Sequence, residues 1–236
     1  MEENTPPHTL RRKKPTHYFW ASLMLFSLLL NSFVISAQVQ VSKEPRHKKI
    51  LENKYIRLLD VRIRPGDTTQ FHIHSTPSLF LQFTNTNVCI QIKGQDWKRS
   101  QNIAGSASYR SFLNDTLVHR VSNCDTEPFH VIAIEMLSSY NSKGLFVPLT
   151  FTQLFENEKA VAYQITDSSF TKHFISGRGP LVAELVQGNE ILLHDSKRKK
   201  STSIKNGGYL FIPPGSSFYF SAKENEKINL VLFEIK

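Results

Sequence analysis

Two cysteines in 236 residues are too few for a scaffold stapled by disulfides, and ten glycines are too few for a collagen-like repeat. A hydrophobic content of 40% lies below the bias of a multi-span membrane protein, and low-complexity tracts are missing. Helical periodicity is almost absent after the first forty residues. What remains is the composition of a globular chain, long enough for one large core or two small ones, with a segment attached in front.

That segment opens with the basic run Arg11-Arg12-Lys13-Lys14, followed by an uncharged stretch over 18–37 that is most apolar over 19–30. A basic region, an apolar region and the small pair Ser36-Ala37 read as a secretory signal peptide cleaved after Ala37. An uncleaved signal anchor is the alternative, and only in that case would the chain touch a membrane. Either way the folded part is expected outside the cytoplasm, in a periplasm or cell envelope.

Residues 1–37 hold +2 of the formal charge of +9, which leaves a dispersed +7 for the rest. The one dense run, Lys197-Arg198-Lys199-Lys200, lies between two apolar stretches and reads as a solvated hairpin loop. A nucleic-acid partner would require basic and aromatic residues interleaved on one face, and none is expected. Cys89 and Cys124 make a disulfide conceivable in an oxidising compartment, but Cys89 lies in the strand-like Val88-Cys89-Ile90, where a buried free thiol is the favoured reading.

Alternating and β-branched runs broken by turn residues predict strands at 55–63, 69–73, 79–83, 88–92, 108–112, 117–121 and 129–136, then at 161–166, 170–174, 182–186, 191–194, 209–212, 218–221 and 229–235. Only 151–155 reads as a helical turn. The two halves resemble each other: Leu51-Glu52-Asn53 recurs as Phe155-Glu156-Asn157, Asn87-Val88-Cys89-Ile90 as Glu190-Ile191-Leu192-Leu193, and 109–112 as 209–212. Conserved order at an offset of 100–104 residues predicts two β-barrels in tandem.

Chemistry is concentrated in the first half. Residues i and i+2 of a strand project to one face, so His72 and His74 offer nitrogens to one point, and His119 from a later strand closes a three-nitrogen site. The other histidines, His8, His17, His47, His130, His173 and His194, lack ligand spacing. Ser78, Gln82, Tyr109, Arg110 and Asn123 are candidates for a surrounding shell, with Asn123 read foremost as a turn residue. Arg62 and Arg64 suit either a substrate carboxylate or an exposed strand face.

The spacing Gly66, five residues, His72-Ile73-His74 resembles the first motif of the cupin superfamily, with Ser78 where that motif has a glutamate and Asn85 where it has a glycine. His119 and Asn123 match the end of the second motif. In the second half Gly207, Pro213 and Gly215 match that motif's beginning, while Phe218 stands at its histidine position. The string from Pro65 to Ser78 looks like that of small exported bacterial cupins.

The resemblance implies an all-β bicupin of two jelly-roll barrels. Its parts are a signal segment 1–37, an exposed arm 38–49, an N-terminal cupin 50–137 with a metal site, a connector 138–157 and a degenerate C-terminal cupin 158–236. It implies one divalent transition metal on His72, His74 and His119, with Fe(II) favoured and Zn, Mn, Ni or Cu as alternatives. Without the motif glutamate, three neutral imidazoles leave the ion its full charge, which favours a small anionic or bidentate substrate. Such a shell is similar to that of thiol dioxygenases and some β-diketone-cleaving dioxygenases, so an oxidoreductase on a small organic acid, thiol or enol is expected. The alternatives are a Zn-type lyase, hydrolase or isomerase and a non-catalytic module binding a small ligand; a homodimer is compatible with the family pattern.

Overall fold

The structure, a computed structural model, describes residues 38–141, 146–166 and 173–236. The expected signal segment, and residues 170–172 of the expected strand 170–174, lie outside the described residues. The described part is all-β, with a single 3-10 turn at Val41–Lys43 and no α-helix.

Ten strands form the first half: β1 Val39–Gln40, β2 His47–Glu52, β3 Ile56–Ile63, β4 His72–His74, β5 Ser78–Gln82, β6 Thr86–Ile92, β7 Trp97–Asn102, β8 Ala107–Arg110, β9 Leu117–Asn123 and β10 Phe129–Met136. They make two five-stranded sheets, in the orders β1-β4-β9-β6-β7 and β2-β3-β10-β5-β8. The second half holds β11 Thr152–Glu156, β12 Ala160–Ile165, β13 Ile175–Ser176, β14 Leu181–Gln187, β15 Glu190–Asp195, β16 Lys200–Lys205, β17 Tyr209–Ile212, β18 Ser217–Ala222 and β19 Asn229–Ile235. Their sheets run β11-β12-β19-β14-β17 and β13-β18-β15-β16, repeating the first plan strand for strand, save that β1 has no counterpart among the described residues.

The repeat extends to register. Both first hairpins carry an irregularity at the same place, between Lys49 and Leu51 and between Gln153 and Phe155. Leu51 faces Leu58 and Phe155 faces Ala162, each pair displaced by 104 residues. The turns match as well: the Asn53 side-chain oxygen accepts from the Tyr55 and Ile56 amides, and that of Asn157 from the Lys159 and Ala160 amides.

Three cores follow from strand parity. On β3, Leu59, Val61 and Ile63 face the interior of the first barrel, while Ile56 and Leu58 face the opposite way, onto the second half. On β19, Leu230 and Leu232 enter the second barrel's core, while Val231, Phe233 and Ile235 meet the residues of β3. The β2 sheet and the β11 sheet are therefore stacked back to back. Their central strands are covered on both faces, and all eight residues of β10 are buried, the continuous run that double coverage demands.

Three expectations are corrected. Residues 38–49 are not an exposed arm: β1 pairs in parallel with β4, Val39 opposite His72, and Val41, Glu44 and His47 are buried. The segment is disguised by Lys43, Lys48 and Lys49, which are exposed around few apolar anchors. The expected helical turn at 151–155 is strand β11, inside the expected connector. Cys89 is not a free thiol: it is bonded to Cys124, with Cα atoms 5.9 Å apart, because β6 and β9 are neighbours in one sheet.

Candidate metal centre

A type II turn begins the site. Asp67 N–H donates to the Arg64 carbonyl across Pro65-Gly66, and Gly66 takes φ +75°, a conformation that side chains disfavour. The chain then enters β4, which runs antiparallel to β9 with His72 directly opposite His119. Strand period puts His74 on the same face as His72, so three imidazoles converge. Their ring centroids lie 4.6 to 5.1 Å apart, and one nitrogen from each falls within 4.8 Å of the others.

These rings line a cavity of about 140 Å³ inside the first barrel. Its walls are mostly apolar, with Val61, Phe80, Val88, Val121 and Val131, and its polar surface comes from the histidines, Gln82 and Asn102. Burial dominates the electrostatics. It holds His72 down at about 4, helped by His47; His74 at about 2, helped by His119 and His72; and His119 at about 3, helped by His72. All three are neutral at ordinary pH, the state in which imidazole donates a lone pair.

The hydrogen bonding fits an ion. His72 Nδ1 lies 2.9 Å from the Gln70 carbonyl, which only accepts, so Nδ1 carries the proton and Nε2 holds the lone pair. His72 Nε2 and both His119 nitrogens are buried with no hydrogen-bond partner. Leaving such atoms unpaired costs about 1–3 kcal/mol each, and coordination would satisfy one nitrogen per ring. A three-histidine cluster of this kind suits a divalent metal.

Among the expected surrounding residues, Gln82 is brought to the cavity, and its Oε1 is also buried without a partner. Asn123 instead closes the turn after β9, donating to the Ile63 and Glu127 carbonyls and accepting from the Asp125 amide. Ser78 shares the inward parity of Gln82 but donates to the Thr76 carbonyl and does not line the cavity. Tyr109 lies opposite Leu79 and packs in the core between the two halves, so it is not part of the site. Arg110 is exposed; its guanidinium lies over Phe112, and its charge helps keep His74 and His119 neutral. Arg62 is an outer residue paired with Asp60, and Arg64 is exposed.

Sequence reasoning missed two residues. His47, set aside for lack of spacing, lines the cavity with its ring centroid 4.6 Å from that of His72. Phe112 lies over His74 with centroids 4.9 Å apart and 23° between planes. Among the described residues the second half has no such centre: Ile175 opposite Phe218 replaces His72 opposite His119.

No protein-family model matches the chain, and no curated protein matches it in sequence. Solved structures do. A cupin 2 conserved barrel domain protein from Leptotrichia buccalis is 12% identical, with a TM-score of 0.51 over 88% of this chain and 94% of that one. AerE from Microcystis aeruginosa is 15% identical, with a TM-score of 0.53 over 82% and 98%. Salicylate 1,2-dioxygenase from Pseudoaminobacter salicylatoxidans, solved as adducts with gentisate, is 10% identical, with a TM-score of 0.54 over 91% and 79%. The chain has the cupin fold.

Proposed function

We propose that this cupin-fold chain is an exported metal-dependent oxidoreductase that acts in the manner of a dioxygenase on a small organic acid, thiol or enol. The observation that carries the reading is the convergence of His72, His74 and His119, all neutral and with unpartnered nitrogens on His72 and His119, on the wall of a small apolar cavity. A divalent ion there, Fe(II) by preference, supplies a positive centre with open positions and, as iron, redox chemistry. The protein's own residues do the rest: the Gln70 carbonyl fixes the His72 tautomer, and the apolar walls exclude bulk water. The cavity's polar atoms are too few for a large polar substrate. The fold of salicylate 1,2-dioxygenase supports the class of reaction, and the Cys89–Cys124 bond supports an oxidising compartment such as a periplasm.

The test is elemental mass spectrometry of the full chain, produced through an exporting host, beside the double variant His72→Ala/His74→Ala. About one equivalent of iron, lost in the variant, is expected, followed by oxygen uptake with small thiols, hydroxy acids or enols. Zinc in its place redirects the reading to hydration or hydrolysis, and ligand affinity without turnover redirects it to a binding module. Equal metal in both proteins after reconstitution overturns the centre.

A further inference from the structure

One buried pair beside the centre has no part in the three-histidine scheme. The Glu44 side chain is sealed from solvent and the His47 side chain is 7% exposed. His47 Nδ1 lies 2.8 Å from Glu44 Oε2. A carboxylate accepts, so Nδ1 donates to Glu44, and Nε2 is left for a ligand in the cavity that the ring lines. Glu44 also accepts from the Arg46 amide at 2.6 Å and from the Gln70 amide at 3.1 Å. Gln70 is the residue whose carbonyl orients His72. One carboxylate thus fixes two imidazoles, His47 directly and His72 through a single residue. Arg46 clamps the assembly to the turn at Gly66 by two hydrogen bonds to Asp67, of 2.7 and 3.0 Å.

A buried carboxylate is costly even when fully hydrogen-bonded, so the barrel architecture alone gives no reason to keep one. The second half supplies the comparison. His47 lies opposite Val61, and the shared register of β2 and β11 puts Phe151 at the corresponding position, with Pro148 for Glu44. Where the trio gives way to Ile175 and Phe218, the pair gives way to proline and phenylalanine, and Phe151 packs on that barrel's core. The barrel stands without the pair wherever it stands without the trio.

We infer that His47, held by Glu44, is the substrate-positioning group of the three-histidine centre, its Nε2 hydrogen-bonded to the hydroxyl or thiol of a small acid. It is not a fourth ligand, since it stands outside the group of nitrogens that lie within 4.8 Å of one another. The inference rests on the metal reading above and narrows its substrates to protic ones, in which the acid group meets the ion and the hydroxyl or thiol meets His47.

The experiment uses the full chain loaded with Co(II), whose visible spectrum reports ligand binding directly, titrated with glycolate and with acetate. Wild type is expected to prefer glycolate about tenfold, the worth of one hydrogen bond to a fixed partner. His47→Leu is expected to keep one equivalent of Co(II) and lose that preference. His47→Phe, the residue that the second half places at this register, gives the same reading if leucine is not tolerated. An unchanged preference in the variants, or no preference in wild type, overturns the role of His47 and leaves the metal centre standing. Loss of Co(II) from folded variants makes His47 a ligand and also overturns it. Wild type that takes up no Co(II) overturns the metal reading itself, and this inference with it.

Discussion

Phe112 lies nearly parallel to His74, ring over ring, from a backbone φ of +56° that a bulky side chain adopts only under constraint. The Arg110 guanidinium also lies over the phenylalanine ring, 4.9 Å from its centroid. Phe112 is 3% exposed, and its ring shields one of the three imidazoles from water.

The strain gives an inverted ranking of two substitutions. Removing the ring is expected to destabilise the protein by about 2–4 kcal/mol. Phe112→Gly should nevertheless be about 1 kcal/mol more stable than Phe112→Ala, because alanine keeps the left-handed penalty of ~1–2 kcal/mol that glycine escapes. Urea unfolding of both variants checks this, and the ordinary order, with alanine the more stable, would refute it.

The histidines make the metal-free protein acid-sensitive. Their folded values, about 4, 2 and 3, lie below the unfolded value of ~6.5, so below that pH the unfolded chain binds more protons. Their contribution to stability is complete above pH ~6.5 and is lost as pH falls from there toward the folded values, by on the order of 1 kcal/mol per histidine per unit. Thermal unfolding of the apo-protein from pH 7 to 4 should show the slope, and His72→Ala/His74→Ala should flatten it.

Glu184 has the opposite sign. It sits on β14 in the core between the two halves, fully buried, both oxygens without a hydrogen-bond partner, and burial with the nearby Asp60 charge raises its pKa well above the ordinary value. A raised carboxyl stabilises below its unfolded value of about 4.5, and that contribution falls as pH rises toward the folded value. Glu184→Leu removes this slope and should stabilise the protein at pH 7 by about 1–3 kcal/mol, read from its denaturant midpoint. A destabilised variant would mean that the carboxyl has an essential partner.

The Cys89–Cys124 bond closes a sequence separation of 35 residues that includes β9 and therefore His119. Chain-entropy arguments give it about 3–4 kcal/mol. Reductant, or Cys89→Ala/Cys124→Ala, should lower the unfolding midpoint accordingly and weaken metal uptake. A midpoint indifferent to reductant would contradict the bond.

The sequence was informative wherever chemistry repeats along a strand. His72-Ile73-His74 shows a shared face because side chains alternate with period two, and the offset of 104 residues marked the duplication because register and turn residues repeat with it. It misled where burial depends on what covers a face. Tyr109 has the alternation of a barrel residue, but its face is covered by the second half. Cys89 looked like a small hydrophobe because its partner comes from a neighbouring strand far along the chain.

Periodicity and spacing alone determined the all-β class, the doubling, and the three histidines that lead to one point, since these follow from local backbone geometry. Tertiary structure alone decided that His47, carried on a charged segment without motif spacing and held there by Glu44, reaches the same cavity. It also decided that Phe112 covers His74 and that Glu184 is sealed between the sheets. The reason is physical: these contacts join residues distant in sequence, and their energies come from burial and fixed hydrogen bonds that exist only once the barrels have closed.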